Sequence, residues 1–226
     1  MKTFRKLHEL ETEKPPDCLS LQPSQTRIAV SCYELGKDGS TRTGGIELYS
    51  SDESQTLTKL STISTPGIFH LEFSNQTPDR LLAVQTNGSL VQFSIDPLSF
   101  ALKSDYLLEC TENILTCLDI QEKSDLLVHC GDNKGNIYKT SAAESSMRVA
   151  ASWSGHDLWG SPSEVWSLAH PQPSSSLLYS GGDDSKLKFW DERTGYEKPA
   201  AVCSFHKEGV TCLKSLDDTF PTDRQL

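Results

Sequence analysis

One stretch decides the fold. It begins Gly155-His156-Asp157-Leu158-Trp159-Gly160-Ser161-Pro162-Ser163-Glu164 and continues Val165-Trp166-Ser167-Leu168. After a gap it resumes as Leu177-Leu178-Tyr179-Ser180-Gly181-Gly182-Asp183-Asp184, then Ser185-Lys186-Leu187-Lys188-Phe189-Trp190-Asp191. Three short runs of alternating apolar character, Val165–Leu168, Leu177–Tyr179 and Leu187–Trp190, are bounded by turn residues and read as antiparallel strands.

Working outward, the same pattern recurs. Leu19-Ser20-Leu21, Ile28-Ala29-Val30 and Ile46-Glu47-Leu48-Tyr49 form a first unit. Ile68–Leu71, Leu81–Val84 and Leu90–Phe93 form a second, and Leu115–Leu118, Leu126–Val128 and Ile137-Tyr138 a third. Leu21, Leu71, Leu118, Leu168 and Leu213 fall in equivalent places, roughly 45 to 50 residues apart. The turns before each third strand also align, as Gly44-Gly45, Asn87-Gly88-Ser89, Lys134-Gly135-Asn136 and Asp184-Ser185-Lys186. Gly, Asn and Asp adopt positive φ at low cost, which suits tight hairpins there. Several strands per repeat of this length predict an all-β fold, the β-propeller.

The fourth repeat carries the marks of a WD repeat: Gly155-His156 before its first strand, Ser180 and Asp183 around the second, Trp190-Asp191 ending the third. His156, Ser180, Asp183 and Trp190 are expected to form a buried hydrogen-bonded network within one blade. The other repeats are degenerate, with Phe93 or Tyr138 where a Trp would stand. Blades are expected over about 17–52, 67–96, 113–142 and 155–195, with a partial fifth over 206–215 opened by Gly209-Val210-Thr211-Cys212-Leu213. Residues 1–16 read as an N-terminal tail in which 4–11 supply an outer strand, and 216–226 as a divergent C-terminal tail. Four blades and a start suggest an incomplete propeller, a truncated or alternatively ended form of a longer protein with exposed sheet edges.

Composition narrows the function classes. The chain has 226 residues, 21 Lys plus Arg against 31 Asp plus Glu, and a formal charge of −10. That acidity argues against a nucleic-acid surface. No apolar run is long enough for a membrane-spanning helix, and the charged start lacks the apolar segment of a secretory signal. Seven widely spaced cysteines without a CxxC pair signal neither a zinc site nor a redox dithiol, and without a secretory signal they are expected as reduced thiols in the cytosol or nucleus. Asn75-Gln76-Thr77 and Asn87-Gly88-Ser89 match the glycosylation pattern by chance on that reading.

Ser180, His156 and Asp183 invite comparison with a hydrolytic triad, but there is no Gly-x-Ser-x-Gly elbow and the structural network accounts for all three. Ser180-Gly181-Gly182-Asp183-Asp184 resembles a phosphate loop yet lacks the following Lys and helix. The six histidines show no ligand spacing, so no metal or other cofactor is expected. The segment 155–166 is more suggestive, since it concentrates Trp159, Trp166, Asp157 and Glu164 near one rim. Aromatic faces and carboxylates are what a quaternary ammonium group selects. The plainer alternative packs Trp166 between blades and leaves both acids solvated.

The run Val149-Ala150-Ala151-Ser152-Trp153-Ser154-Gly155-His156, with Glu164-Val165-Trp166, Tyr179–Asp184 and Phe189-Trp190-Asp191-Glu192-Arg193, resembles the WD-repeat diphthine methyl ester hydrolases of diphthamide biosynthesis. The resemblance extends in pattern from about 17 to 215, including Gly45-Ile46-Glu47-Leu48-Tyr49-Ser50 and Phe205-His206-Lys207-Glu208-Gly209-Val210. It implies demethylation of methylated diphthine on translation elongation factor 2, with that factor and other diphthamide-pathway proteins as partners. The substrate's trimethylammonium group fits the acidic, aromatic rim, making Asp157, Glu164, Trp166 and Asp184 candidates for substrate contact. No residue is assigned to bond breaking. A noncatalytic WD scaffold and an inactive truncated hydrolase stand as alternatives.

Overall fold

The computed structural model describes residues 8–23, 26–52, 56–122, 126–143, 146–171 and 175–215. Among them are four four-stranded antiparallel sheets, each a meander in chain order, and no helix. The first sheet holds β1 (Pro16–Leu21), β2 (Arg27–Leu35), β3 (Arg42–Ser51) and β4 (Leu57–Pro66); the second β5 (Ile68–Phe73), β6 (Arg80–Gln85), β7 (Ser89–Ile95) and β8 (Leu102–Glu109). The third comprises β9 (Leu115–Glu122), β10 (Leu126–Asp132), β11 (Asn136–Ala143) and β12 (Ser146–Ser154). A two-stranded hairpin, β13 (Asp157–Leu158) and β14 (Ser161–Pro162), precedes the fourth. That sheet is β15 (Val165–Ala169), β16 (Leu177–Gly182), β17 (Leu187–Asp191) and β18 (Ala201–Cys203).

The repeat is visible in irregularities as much as in strands. The innermost strand bulges by one residue between Pro16 and Cys18, between Ile68 and His70, and between Val165 and Ser167. The third-to-fourth ladder shifts register at Leu48/Tyr49, Gln92/Phe93 and Lys139/Thr140. Bulges that recur at one position act as fixed features of the unit, re-aiming side chains the same way each time. They also set the alignment: Trp190 corresponds to Phe93, Thr140 and Tyr49. Phe93 stands where expected. Tyr138 does not, because it lies two residues before the bulge; Thr140 takes the place and donates to the Val128 carbonyl at 3.0 Å.

Gly88 (φ 82), Gly135 (φ 79) and Ser185 (φ 60) turn their hairpins with positive φ. Gly44 aligns with them but lies within β3, paired with Tyr33, because the first hairpin is longer and turns at Gly39 instead. Gly44 is needed there for closeness: a Cβ would meet the Cys32 carbonyl oxygen at 2.3 Å. The aligned leucine of the first sheet also moves. Leu19 pairs as Leu71 does, and both Leu19 and Leu21 are exposed whereas Leu71, Leu118 and Leu168 are buried.

The chain divides into two compact units, Met1–Leu115 and Thr116–Leu226. In the first, Ala29, Ile46 and Leu48 join Ile68, Leu71, Phe73, Leu81, Val91 and Phe93 in one core. Phe73 N donates to Ser20 Oγ at 3.1 Å, tying β5 to β1. In the second, Cys117, Ile137, Trp153, Val165, Leu168, Leu178 and Trp190 form the core. Thr116 Oγ1 donates to the Val165 carbonyl, and Ser167 Oγ donates in the same way to the Val210 carbonyl at 3.1 Å. Gly131 and Gly181 keep the matching approaches open, since a Cβ at either would lie 2.7 or 2.5 Å from Val165 or Val210. Val210 thus repeats the part of Val165 as the start of a fifth unit, although residues 204–215 form no strand. Residues 8–15 form none either; residues 4–7 and the tail 216–226 lie outside the described residues.

Candidate functional site

The fourth repeat closes around His156. Its Nδ1 lies 2.8 Å from Asp184 Oδ1, its Nε2 2.8 Å from Ser180 Oγ, and the Trp190 indole N–H donates to the same hydroxyl at 2.8 Å. One donor order pairs the indole, the hydroxyl and both ring nitrogens: indole N–H to Ser180, Ser180 O–H to Nε2, Nδ1–H to Asp184 Oδ1, with Lys188 Nζ 3.5 Å from Asp184 Oδ2. The carboxylate is Asp184, not Asp183. The strand β16 ends at Gly182, so the next residue turns outward and Asp183 is exposed, while Asp184 folds back under the hairpin. Burial alone would raise the Asp184 pKa, but the bond to His156 and the nearby Lys188 ammonium hold it below the usual 3.8.

This constellation has the connectivity of a serine-hydrolase triad and cannot act as one. His156 and Ser180 have no exposed surface, and the Ser180 oxygen already accepts the indole. A nucleophile needs a path to its substrate and an oxyanion site beside it. The network is therefore a brace that fixes β16, β17 and the incoming chain. Gly135 pins that chain: its carbonyl accepts from Gly155 N at 2.7 Å and His156 N at 2.9 Å, just as Gly88 accepts from Cys110 and Thr111.

Ahead of β15 the rim segment folds into the β13–β14 hairpin, a two-residue turn on Trp159 (φ 54) and Gly160 (φ 83). Positive φ at both central residues is the type I′ geometry that matches strand twist. Asp157 Oδ1 accepts from Gly160 N at 3.0 Å and is exposed. Trp159 stands 95% exposed at the tip. Trp166 is the bulged residue of β15 and is 36% exposed, so packing between blades does not absorb it fully. Glu164 is half-buried, and its carbonyl accepts from Asp183 N at 2.9 Å. Asp157, Glu164 and Trp166 are thus presented at or near the surface, with Asp183 beside Glu164, whereas Asp184 is committed to the brace. The sequence places Trp159 in the rim segment but does not mark it for contact, because a Trp before Gly is no usual turn signal and its prominence follows from the hairpin backbone.

A second polar cluster has no counterpart in the sequence reading. His129 on β10, His170 just past β15 and Glu192 just past β17 offer ligand atoms within 4.8 Å of one another. Their positions are far apart along the chain, which is why ligand spacing gave no signal. Burial pushes the His129 imidazole down to about 4 and keeps it neutral.

The model of the WD domain, G-beta repeat, matches residues 147–191, the span that holds the brace. A chain in the crystal structure of the mitotic checkpoint complex shares the fold with a TM-score of 0.64 at 16% identity, over 93% of this chain and 62% of that one. Sqt1 from Chaetomium thermophilum does so with a TM-score of 0.66 at 14% identity, over 84% and 49%. The chain has the WD-repeat β-propeller fold.

Within that class it is similar to proteins named diphthine methyltransferase, so the resemblance read from residues 149–193 is borne out. A Dictyostelium discoideum homologue of that name is 30% identical over 130 residues, 55% of this chain and 34% of the relative. The Mus musculus protein is 23% identical over 263 residues, 96% of this chain and 53% of the relative. A DDB1- and CUL4-associated factor 11 homologue from Caenorhabditis elegans is 30% identical over 105 residues, 45% of this chain and 17% of that protein. The chain thus spans about a third to a half of the diphthine methyltransferases it matches.

Proposed function

We propose that the chain acts in diphthamide biosynthesis, hydrolysing the methyl ester of methylated diphthine on translation elongation factor 2. Water adds across the ester, leaving the diphthine carboxylate and methanol. The similarity to diphthine methyltransferases along 96% of this chain carries the reading. The rim supports it chemically. Trp159 and Trp166 offer π faces, and Asp157, Glu164 and Asp183 offer negative charge, to a trimethylammonium group. The buried Ser180 has no place in the bond-breaking step, so the reading rests on a water activated at the surface. A translation factor as substrate implies a cytoplasmic location.

The test is the intact mass of methyl-diphthine elongation factor 2 before and after incubation with this chain. A full-length diphthine methyltransferase and buffer alone are the controls. Loss of one methyl group is expected. An unchanged mass beside an active full-length control counts against turnover by this chain.

A second reading, a noncatalytic scaffold that captures a partner, is favoured by the similarity to the DDB1- and CUL4-associated factor 11 homologue and by the sealed triad. It predicts a stable complex with the factor and no change of mass.

A further inference from the structure

The seam between the third and fourth sheets contains polar atoms that the fold leaves unanswered. His129 has no exposed surface, and neither of its ring nitrogens has a hydrogen-bond partner among the described residues. Its Nε2 faces Glu192 Oε1 at 3.4 Å without hydrogen-bond geometry. The His170 side chain is 4% exposed, and its Nε2 is likewise unpartnered. Buried polar groups are nearly always satisfied, and leaving one bare costs about 1–3 kcal/mol. Here three imidazole nitrogens within one cluster lack a hydrogen bond, and one of them, His129 Nε2, has only the Glu192 carboxylate 3.4 Å away.

The fourth imidazole nitrogen is answered in a telling way. His170 Nδ1 bonds the Asp119 carboxylate on β9. Of the two neutral tautomers, a carboxylate at Nδ1 favours the one with its proton there, which leaves the Nε2 lone pair available to a cation. Metal-bound histidines almost always have such a partner behind them. His129 and His170 lie with ring centroids 4.8 Å apart. Glu192 completes the set, anchored by Lys139 Nζ at 2.9 Å and by the Tyr196 hydroxyl at 3.2 Å.

We propose that His129, His170 and Glu192 form a zinc-binding site at this seam, with Asp119 as the positioning residue behind His170. Two imidazoles and a carboxylate suit Zn²⁺, which takes nitrogen at about 2.0–2.1 Å and carboxylate oxygen at about 2.0–2.2 Å in a tetrahedron. Such bonds set ligand atoms about 3.4 Å apart, the separation already present between His129 Nε2 and Glu192 Oε1. All three ligand atoms lie within 4.8 Å of one another, so the widest separation has to shorten by no more than about 1.4 Å on binding. The ion would join β10 to the ends of β15 and β17, exchanging the Lys139–Glu192 ion pair for a divalent cross-link between two sheets. The inference is independent of the ester-hydrolysis reading, and neither stands or falls with the other.

The test is titration of the chelator-stripped full chain with Zn²⁺ by calorimetry, and with Co²⁺ by absorption spectroscopy. One ion per chain is expected. The Co²⁺ form should show the visible ligand-field bands of a tetrahedral centre with no thiolate-to-cobalt charge-transfer band, because the site contains no sulfur. Glu192→Gln should abolish binding, and Asp119→Asn should weaken it by about 10–100-fold. Lys139→Met should tighten it, because it removes the charge that competes for Glu192. Absence of binding, a thiolate band from any of the seven cysteines, or affinity unchanged in Glu192→Gln overturns the proposal. The wild-type spectrum decides the matter even if a variant fails to fold.

Discussion

Ser180 holds three side chains in place at once, accepting the Trp190 indole and bonding His156, which in turn bonds Asp184. Because all four are buried, removing one member strands the others without water to replace it. Asp184→Ala leaves His156 Nδ1–H and the Lys188 ammonium facing an empty carboxylate position, and should cost about 3–5 kcal/mol, as breaking a buried ion pair does. Asp183→Ala, one residue away but exposed, should change stability by no more than about 0.5 kcal/mol. Urea denaturation of the two variants separates them. Equal losses would return Asp183 to the brace. The adjacent acids illustrate how far sequence reaches at this scale: the residue types of the network were legible, but which Asp faces inward depends on where β16 ends.

At the scale of elements, the hairpin tip sets conformational strain against exposure. Trp159 holds φ 54 in open solvent, where Asn would serve the turn better. A bulky residue in this region carries strain of about 1 kcal/mol or more. Trp159→Asn should therefore raise the melting temperature slightly, and on the proposed function it should also weaken binding of methyl-diphthine elongation factor 2. Higher stability with undiminished binding would remove Trp159 from the substrate site. Inner strands such as Leu81–Val84 were legible because two buried faces demand continuous apolar residues. The outermost strands β4, β8 and β12 were not, since edge positions such as Thr58, Lys103, Asp105 and Arg148 face solvent and break the alternation. The His129–His170–Glu192 cluster was hidden for a different reason: it is assembled from β10 and the residues just past β15 and β17, in two sheets, and only their packing brings it together.

For the whole molecule, charge sets the response to pH, and on the alkaline side several buried groups act together: the Cys117 thiol, pushed from 9.0 up to about 12, the Tyr196 phenol, also raised, and the Tyr49 phenol of the first unit. The Tyr49 hydroxyl donates to Glu47, and both are almost wholly buried. Burial, reinforced by the Glu47 bond and charge, pushes the Tyr49 phenol from 10.0 up to about 12. A group whose pKa is raised by folding contributes its full stability below the unfolded value and loses it as pH rises through the folded one. Stability should therefore fall between about pH 10 and 12, by on the order of 2–3 kcal/mol from this phenol. Lys59 adds to the same limb. Its burial would lower the ammonium pKa, but bonds to Glu13 and Glu47 outweigh that and raise it above 10.5. Self-repulsion of a chain already at −10 steepens the loss as further protons leave. Tyr49→Phe separates the local contribution from the global one. It should lower stability at neutral pH by about 1.5–3 kcal/mol, the worth of a hydrogen bond to a charged group. Thermal melts from pH 8 to 12 should then show a shallower decline than wild type, leaving the repulsion, Lys59, Cys117 and Tyr196. An unchanged slope would mean that the Tyr49 phenol has no part in the alkaline limit, which the other raised groups and self-repulsion then set.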